Sequence, residues 1–366
     1  MAGRFPPRTP TTRTTVRGGH VPVPTTPVAL DTQTDLGLTL GPLRRGPADP
    51  TFRVTPDGSV WRASRTPDGP GTLRVAVRQN AGTDEGMDED PHPNANADER
   101  TEKNERTEKN ERTEENERTD NKPHVTAEAW GPGAPWLLAR LPALLGAEDD
   151  PTAFVPRHRL LAATHRRRPG LRLTRTGLVL ESLIPSVLEQ KVTTDEAYRA
   201  WRLLVRKYGE PAPGPAPDGM HVMPDARTWA LIPSWEWHRA GVEDKRAATI
   251  VRAARAARRM EEAADMAPAD ARARLELIPG IGPWTSAETV QRTNGAPDEV
   301  TTGDLHLPGI VGWALAGDRT ADDAAMLDLL APYAGQRHRA ARLILLSGRV
   351  PPRRAPRMTP GNIARY

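Results

Sequence analysis

A chain of 366 residues, with 51 Lys and Arg against 47 Asp and Glu, is long enough for two or three domains of roughly 100–200 residues each. It has no cysteine, which excludes a disulfide scaffold, an iron–sulfur cluster, a cysteine nucleophile and a thiolate zinc site. Residues 84–122 hold 15 acidic and 7 basic side chains, a net of −8, so the overall +4 leaves +12 on the remainder and favours a polyanionic partner such as nucleic acid.

In chain order, residues 1–20 read as a Pro- and Arg-rich basic tail without the apolar stretch of about 7–15 residues that a secretory signal needs. No run reaches the roughly 18 apolar residues of a membrane span, so a protein of the cell interior is expected. Between Val28 and Val77, short alternating stretches (36–40, 51–55, 60–63 and 73–77) are separated by the turns Pro56-Asp57-Gly58 and Pro67-Asp68-Gly69. They predict a small antiparallel sheet. The hexad Glu-Arg-Thr-Glu-Lys-Asn then begins at Glu99, recurs at Glu105 and decays through Glu111 and Glu117. A six-residue period with nothing apolar to bury fits neither a helix nor a coiled coil, so residues 83–122 are expected to be a disordered acidic insertion.

His124-Val-Thr-Ala-Glu-Ala-Trp130 reads as a further strand and 135–145 as a helix, so the insertion interrupts one β-rich N-terminal domain spanning 21–150. From 151 to 348 the spacing is helical almost throughout. Helices are predicted over 157–163, 176–191, 194–208, 226–232, 242–264, 269–277, 284–293, 305–316, 322–331 and 337–346. Residues 349–366 read as a second basic tail. The fold class expected is α+β, mainly α.

The most informative segment is Leu277-Ile-Pro-Gly-Ile-Gly-Pro-Trp-Thr285, set between two amphipathic helices. Gly280 and Gly282 allow a tight turn that a ligand can approach closely, and the next helix opens with unpaired N–H groups suited to a phosphate. Plain helix connections also use Gly and Pro. Downstream lies Val300-Thr-Thr-Gly-Asp-Leu-His-Leu-Pro308. At these two segments the chain resembles the helix-hairpin-helix DNA glycosylase superfamily, in which such a hairpin precedes an aspartate at the mouth of the base pocket. It is most similar to the bacterial alkylpurine branch, DNA-3-methyladenine glycosylase II. Arg168-Pro-Gly-Leu-Arg-Leu173, Glu189-Gln190-Lys191-Val192 and the helix ending at Tyr208-Gly209 agree in the same order.

The resemblance implies a helical glycosylase bundle with a small antiparallel β-rich N-terminal domain, acting in base-excision repair on double-stranded damaged DNA. It implies a monomeric, cytoplasmic, nucleoid-associated protein of bacterial type. It assigns Asp304 as the catalytic carboxylate, which stabilises an oxocarbenium-like sugar and orients water. Capping the helix that starts near Leu305 is the structural role open to the same residue. In strand-cleaving members a Schiff-base lysine stands two residues after the second hairpin glycine. Here that place is Trp284, which implies a monofunctional enzyme without lyase activity. Trp284 then either faces the base pocket or is wedged behind the hairpin.

The gap left by the flipped base would be filled from Gln190-Lys191, where Lys191 departs from the apolar residue or glutamine of relatives. Trp235 and Trp237 are candidate pocket walls or a core patch. Glu288 replaces an aromatic residue, and either favours a cationic base or faces away. DNA contacts are expected at Gly280, Gly282, Thr285, Gln190, Lys191, Arg337 and Arg339, with His338 in the same cluster and a solvated basic face as the simpler account. No side-chain metal site or organic cofactor is expected. A structural Na+ or K+ at the carbonyls of Leu277, Pro279 and Gly282 is implied by the superfamily. Two alternatives stay open: a damage-binding protein with weak or no catalysis, and a glycosylase for uracil or deoxyinosine, in which His306 or Glu288 would have to reach the base.

Overall fold

The computed structural model describes residues 23–24, 34–78 and 124–352. The expected tail 1–20, the acidic repeat 83–122 and all but residues 349–352 of the expected C-terminal tail lie outside the described residues.

Five antiparallel strands, β1 (Val23–Pro24), β2 (Phe52–Val54), β3 (Val60–Thr66), β4 (Gly69–Arg78) and β5 (His124–Trp130), form a sheet in the order β1-β5-β4-β3-β2. Alternation sends successive side chains to opposite faces. Val60, Leu73, Val75, Val125, Ala127 and Ala129 bury one face against α1 (Leu36–Leu40), α2 (Ala134–Ala139) and α3 (Leu141–Leu144). On the other face Trp61 stacks on Trp130, with ring centroids 5.4 Å apart. That pair is covered by the short hairpin of β6 (Glu210–Pro211) and β7 (His221–Val222).

The rest is helical: α4 (Arg159–Arg167), α5 (Val179–Leu188), α6 (Thr194–Tyr208), α7 (Ala226–Leu231), α8 (Ser234–Ala240), α9 (Asp244–Arg255), α10 (Ala257–Glu261), α11 (Pro268–Glu276), α12 (Pro283–Thr293), α13 (Leu307–Ala316), α14 (Asp323–Leu330) and α15 (Arg337–Leu346). Helices α5 to α9, with α11 and the hairpin's Ile281, share one core. Helices α4, α13, α14 and α15 share another. Helix α12 packs along α5 in the first core, and the loop after it leads to the second. Helix starts are closed both by neighbouring and by distant side chains. The Thr193 and Glu196 side chains form a reciprocal cap on α6, and the Glu261 carboxylate accepts from the Val179 and Leu180 amides at the start of α5 (2.8 and 2.9 Å).

Three expectations change. Residues 36–40 are helical rather than extended: Asp35 caps α1 by accepting from the Leu38 amide, and Leu36, Thr39 and Leu40 share its buried side. Five residues are too few for the spacing of apolar groups to separate the two periods. The helix expected over 135–145 breaks at Arg140, where Pro142 lacks the N–H that would continue the ladder. The span 242–264 is likewise divided into α9, α10 and a short 3-10 turn, and Ser234–Ala240 is itself a helix. Among the described residues no helix is long and apolar enough to cross a membrane.

Candidate active site and nucleic-acid interface

The hairpin between α11 and α12 is built on its two glycines in different ways. Gly280 has φ +99°, and a Cβ there would lie 2.0 Å from Thr249 Oγ1, so both backbone and packing demand glycine. At Gly282 an added Cβ would meet nothing within 4 Å. Its bareness answers to no neighbour in the described chain. Gln190, at the end of α5, ties the turn down by donating from Nε2 to the Gly280 carbonyl (3.0 Å) and to Thr285 Oγ1 (2.7 Å). Thr285 is therefore an internal partner, buried to 2% exposure, and its side chain is not presented to a ligand. The next residue, Lys191, is exposed and has φ +54°, the one positive φ of a non-glycine residue among the described residues. Such a conformation costs of order 1–3 kcal/mol and tends to mark functional sites.

Helix α12 holds the aspartate loop through Trp284, Glu288 and Gln291, whose i, i+4, i+7 spacing puts them on one face. Trp284 donates its indole N–H to Asp304 Oδ2 at 2.9 Å. Glu288 accepts from Thr301 Oγ1 (2.6 Å) and pairs with Arg292 (2.7 Å). Gln291 donates to the Glu299 carbonyl and to Thr301 Oγ1. The other oxygen of Asp304 accepts from the amides of His306 and Leu307, both at 2.8 Å, so the carboxylate also caps α13. Burial pushes the Asp304 carboxyl up, but the Trp284 hydrogen bond and the two amides outweigh it and hold the group below its ordinary value. Capping and an ionised, half-buried carboxylate coexist in one residue. His306 is exposed and donates only its backbone N–H here.

Next to this loop lies a cavity of about 430 Å³, lined by Glu288, Arg292, Thr301 and Leu307 from one side and by His338 and Arg342 of α15 from another, with Gly37, Leu38, Gly41 and Pro42 also in its wall and Asp304 and Trp284 outside it. Burial pushes the Glu288 carboxyl up, and the Arg292 guanidinium, the Thr301 hydroxyl and the nearby Arg45 together outweigh it and hold the group below its ordinary value. His338, buried beside Arg342, Arg292 and Arg339, is held well below the usual imidazole range and is neutral.

The structure separates several expected partners from this site. Trp237 is core: it is 2% exposed, stacks on Trp229 with centroids 5.9 Å apart and donates to the Ile232 carbonyl. Trp235 lies 65% exposed on α8, and neither ring lines the cavity. Arg339 is wholly buried, bonded to Asp149, Gln336 and the Leu171 carbonyl, and so ties the α15 start to the segments before α4 and α5 rather than reaching a phosphate. Arg337 is half-buried and held by Asp298 through its amide (3.0 Å) and guanidinium (2.8 and 2.5 Å). For the expected cation, Pro279 O already accepts two N–H groups of Arg252 (3.2 and 2.7 Å), and Gly282 O accepts from the Ser286 amide. A guanidinium occupying that rim repels a second cation, so these residues do not fit the ion. Arg252 and Arg342 were not read as site residues from the sequence, since a basic residue on a helix is ordinary. Their helical registers, 252 beside Thr249 and 342 one turn beyond His338, were the available signal.

No protein-family profile matches the chain. It is 32% identical over 174 residues to the probable bifunctional transcriptional activator/DNA repair enzyme AlkA of Mycobacterium tuberculosis, an alignment covering 46% of this chain and 34% of that protein. The chain thus matches about a third of the length of this curated relative. In three dimensions it is similar to the 3-methyladenine DNA glycosylase of Archaeoglobus fulgidus, with a TM-score of 0.63 at 14% identity over 88% of this chain and 99% of the other. It is also similar to the 8-oxoguanine glycosylase/lyase of Clostridium acetobutylicum bound to double-stranded DNA, with a TM-score of 0.59 at 9% identity over 87% and 92% of the two chains. A mainly helical chain with an N-terminal antiparallel sheet, a Pro-Gly-Ile-Gly hairpin and an aspartate held beside it has the fold of the helix-hairpin-helix DNA glycosylase superfamily.

Proposed function

We propose that the chain is a monofunctional DNA N-glycosylase that removes alkylated purines flipped out of double-stranded DNA. The observation that carries this reading is the Asp304 carboxylate, ionised and fixed by the Trp284 indole and two helix amides in a loop whose Thr301 and Leu307 line a cavity able to take a base. A fixed negative charge there stabilises the positive charge that develops on the deoxyribose as the C1′–N bond lengthens. Water adds to C1′ and keeps one proton as the new hydroxyl, the C1′–N bonding pair leaves on the base nitrogen and neutralises the cationic base, and the second water proton passes to solvent. The products are a free base and an abasic site.

Trp284 supplies no amine for a Schiff base at the position where strand-cleaving relatives carry lysine, which supports hydrolysis without lyase chemistry. Exposed backbone at Pro279 and Gly280, the open face of Gly282 and the thrust-out Lys191 suit a duplex whose phosphates meet the rim while a side chain fills the gap. The chain is expected to act as a monomer.

The test is release of 3-methyladenine and 7-methylguanine from methylated duplex, with alkali added afterwards to reveal abasic sites. Wild type should release base and cut the strand only with alkali, while Asp304→Asn should bind DNA without releasing base. Binding with no release by either protein would replace this reading by a damage-binding one. Strand cleavage without alkali would overturn the monofunctional assignment.

A further inference from the structure

Resting on the glycosylase reading, the cavity wall says which bases it takes. Its volume of about 430 Å³ lies within the roughly 300–1,000 Å³ of ligand pockets, and none of its lining residues is Phe, Tyr or Trp, the one ring in it being His338. The cation–π attraction by which Trp, Tyr or Phe holds an electron-poor base is therefore missing from this wall.

Much of the wall is aliphatic, and the polar groups set in it differ in what they have free. Both Glu288 oxygens are taken, one by Arg292 and one by Thr301. Arg292 also donates to the Pro42 and Glu288 carbonyls. His338 is neutral. Arg342 differs from all of these: its guanidinium donates to the Leu38 carbonyl at 3.0 Å and has no ion-pair partner among the described residues. Burial, with Arg292 nearby, brings its pKa down to about 10, so the charge sits in a setting that an acceptor would relieve. Guanidinium carries five donors and no acceptor. Arg342 lines the same cavity as Glu288, Arg292 and His338.

We propose that Arg342 is a specificity-determining residue that donates to a carbonyl oxygen of the flipped base, so that the pocket prefers keto purines, of guanine or hypoxanthine type, over adenine-type lesions. A keto oxygen accepts from the guanidinium, whereas the exocyclic amine of an adenine-type base opposes donor to donor. The positive charge of an alkylated base finds no free carboxylate in the wall whether the base is of adenine or guanine type, since Glu288 is already matched by Arg292, so the carbonyl oxygen alone separates the two classes.

The experiment compares single-turnover release from duplexes carrying hypoxanthine, 7-methylguanine or 3-methyladenine, for wild type, Arg342→Gln and Arg342→Lys, each checked for an unchanged Tm. Wild type should release the two keto bases faster than 3-methyladenine. Arg342→Gln should slow the keto bases by about 10- to 100-fold and leave 3-methyladenine within about threefold, with Arg342→Lys between. Equal losses on both classes, or a wild type that prefers 3-methyladenine, would overturn the proposal. If Arg342→Gln does not fold, the wild-type ranking alone decides.

Binding of free hypoxanthine and free 3-methyladenine, followed by ligand-observed NMR, separates this proposal from the enzymatic reading. Selective hypoxanthine binding that Arg342→Gln abolishes, without release from any duplex, would keep the base preference and break the enzyme assignment. No preference between the two free bases, together with efficient release from duplex, would do the opposite.

Discussion

At its N-terminal end α12 emerges beside exposed backbone at Pro279 and Gly280 and beside the protruding Lys191, whereas further along the same helix Glu288 and Arg292 are bonded to each other in the wall of the cavity. The exposed end can meet a polyanion in many registers, because water screens whatever is left unmatched. The buried end has no such freedom, since each charge there must find a partner or shift its pKa. In the proposed function, one helix therefore presents a tolerant surface to a duplex and a selective one to a base.

The strongest way to break this division is at the residue between the two ends. Asp304→Asn should lower single-turnover base release by about 10²- to 10³-fold while duplex affinity stays unchanged. Loss of affinity instead would place Asp304 on the binding side. Because the Asp304 carboxyl is held below its ordinary value of 3.8, its ionised form persists throughout the neutral range and is lost only as pH falls through that lowered value. The rate should show no loss attributable to this group between about pH 5 and 8. An acid limb centred near pH 6 that vanishes in Asp304→Asn would contradict it.

The next effect is on stability. Arg339, buried on Asp149, should cost about 3–5 kcal/mol when changed to Ala, and Arg337, half-exposed on Asp298, about 1 kcal/mol or less, both read from urea unfolding. An Arg339→Ala protein that folds normally but loses duplex affinity would restore the phosphate role expected from the sequence. Smaller again is the contrast within the hairpin. Gly280→Ala should destabilise by about 2–4 kcal/mol through strain and the clash with Thr249, while Gly282→Ala should leave the Tm within error and weaken duplex binding. Lys191→Gly should raise stability by about 1 kcal/mol and slow base release from duplex more than from single-stranded DNA. The smallest effect is expected from exchanging Na+ for K+ at constant ionic strength, which should leave duplex affinity unaltered because Arg252 already holds the Pro279 carbonyl.

Much of the frame was legible in the sequence for local reasons. Helices 194–208 and 337–346 coincide with their expected bounds, because long amphipathic periods with a cap such as Thr193 are set within a few turns of chain. Four of the sheet strands were visible from alternation and from Pro-Asp-Gly turns. Where five residues alternated by chance, at 36–40, a helix cap decided otherwise. At the site, the hairpin and Asp304 stood out as contiguous motifs, and the Trp284 to Asp304 bond joins the two segments that carried the resemblance. The aromatic run at 235–237 misled, because a tryptophan's type tells nothing of which way its helix faces.

The sequence by itself determined the periodicities, the turns, the absence of thiol chemistry, the basic balance, and a hairpin followed by an acid with no lysine at the lyase position. These are properties of residue type and short spacing. Only the tertiary structure decided that Arg339 is sealed on Asp149 while Arg342 has no ion-pair partner among the described residues, that Glu288 is matched by Arg292, and that Arg252 covers the hairpin carbonyl. Burial and pairing between residues as far apart as 149 and 339 depend on how helices cross, and desolvation turns identical arginines into a structural tie in one place and an open donor in another.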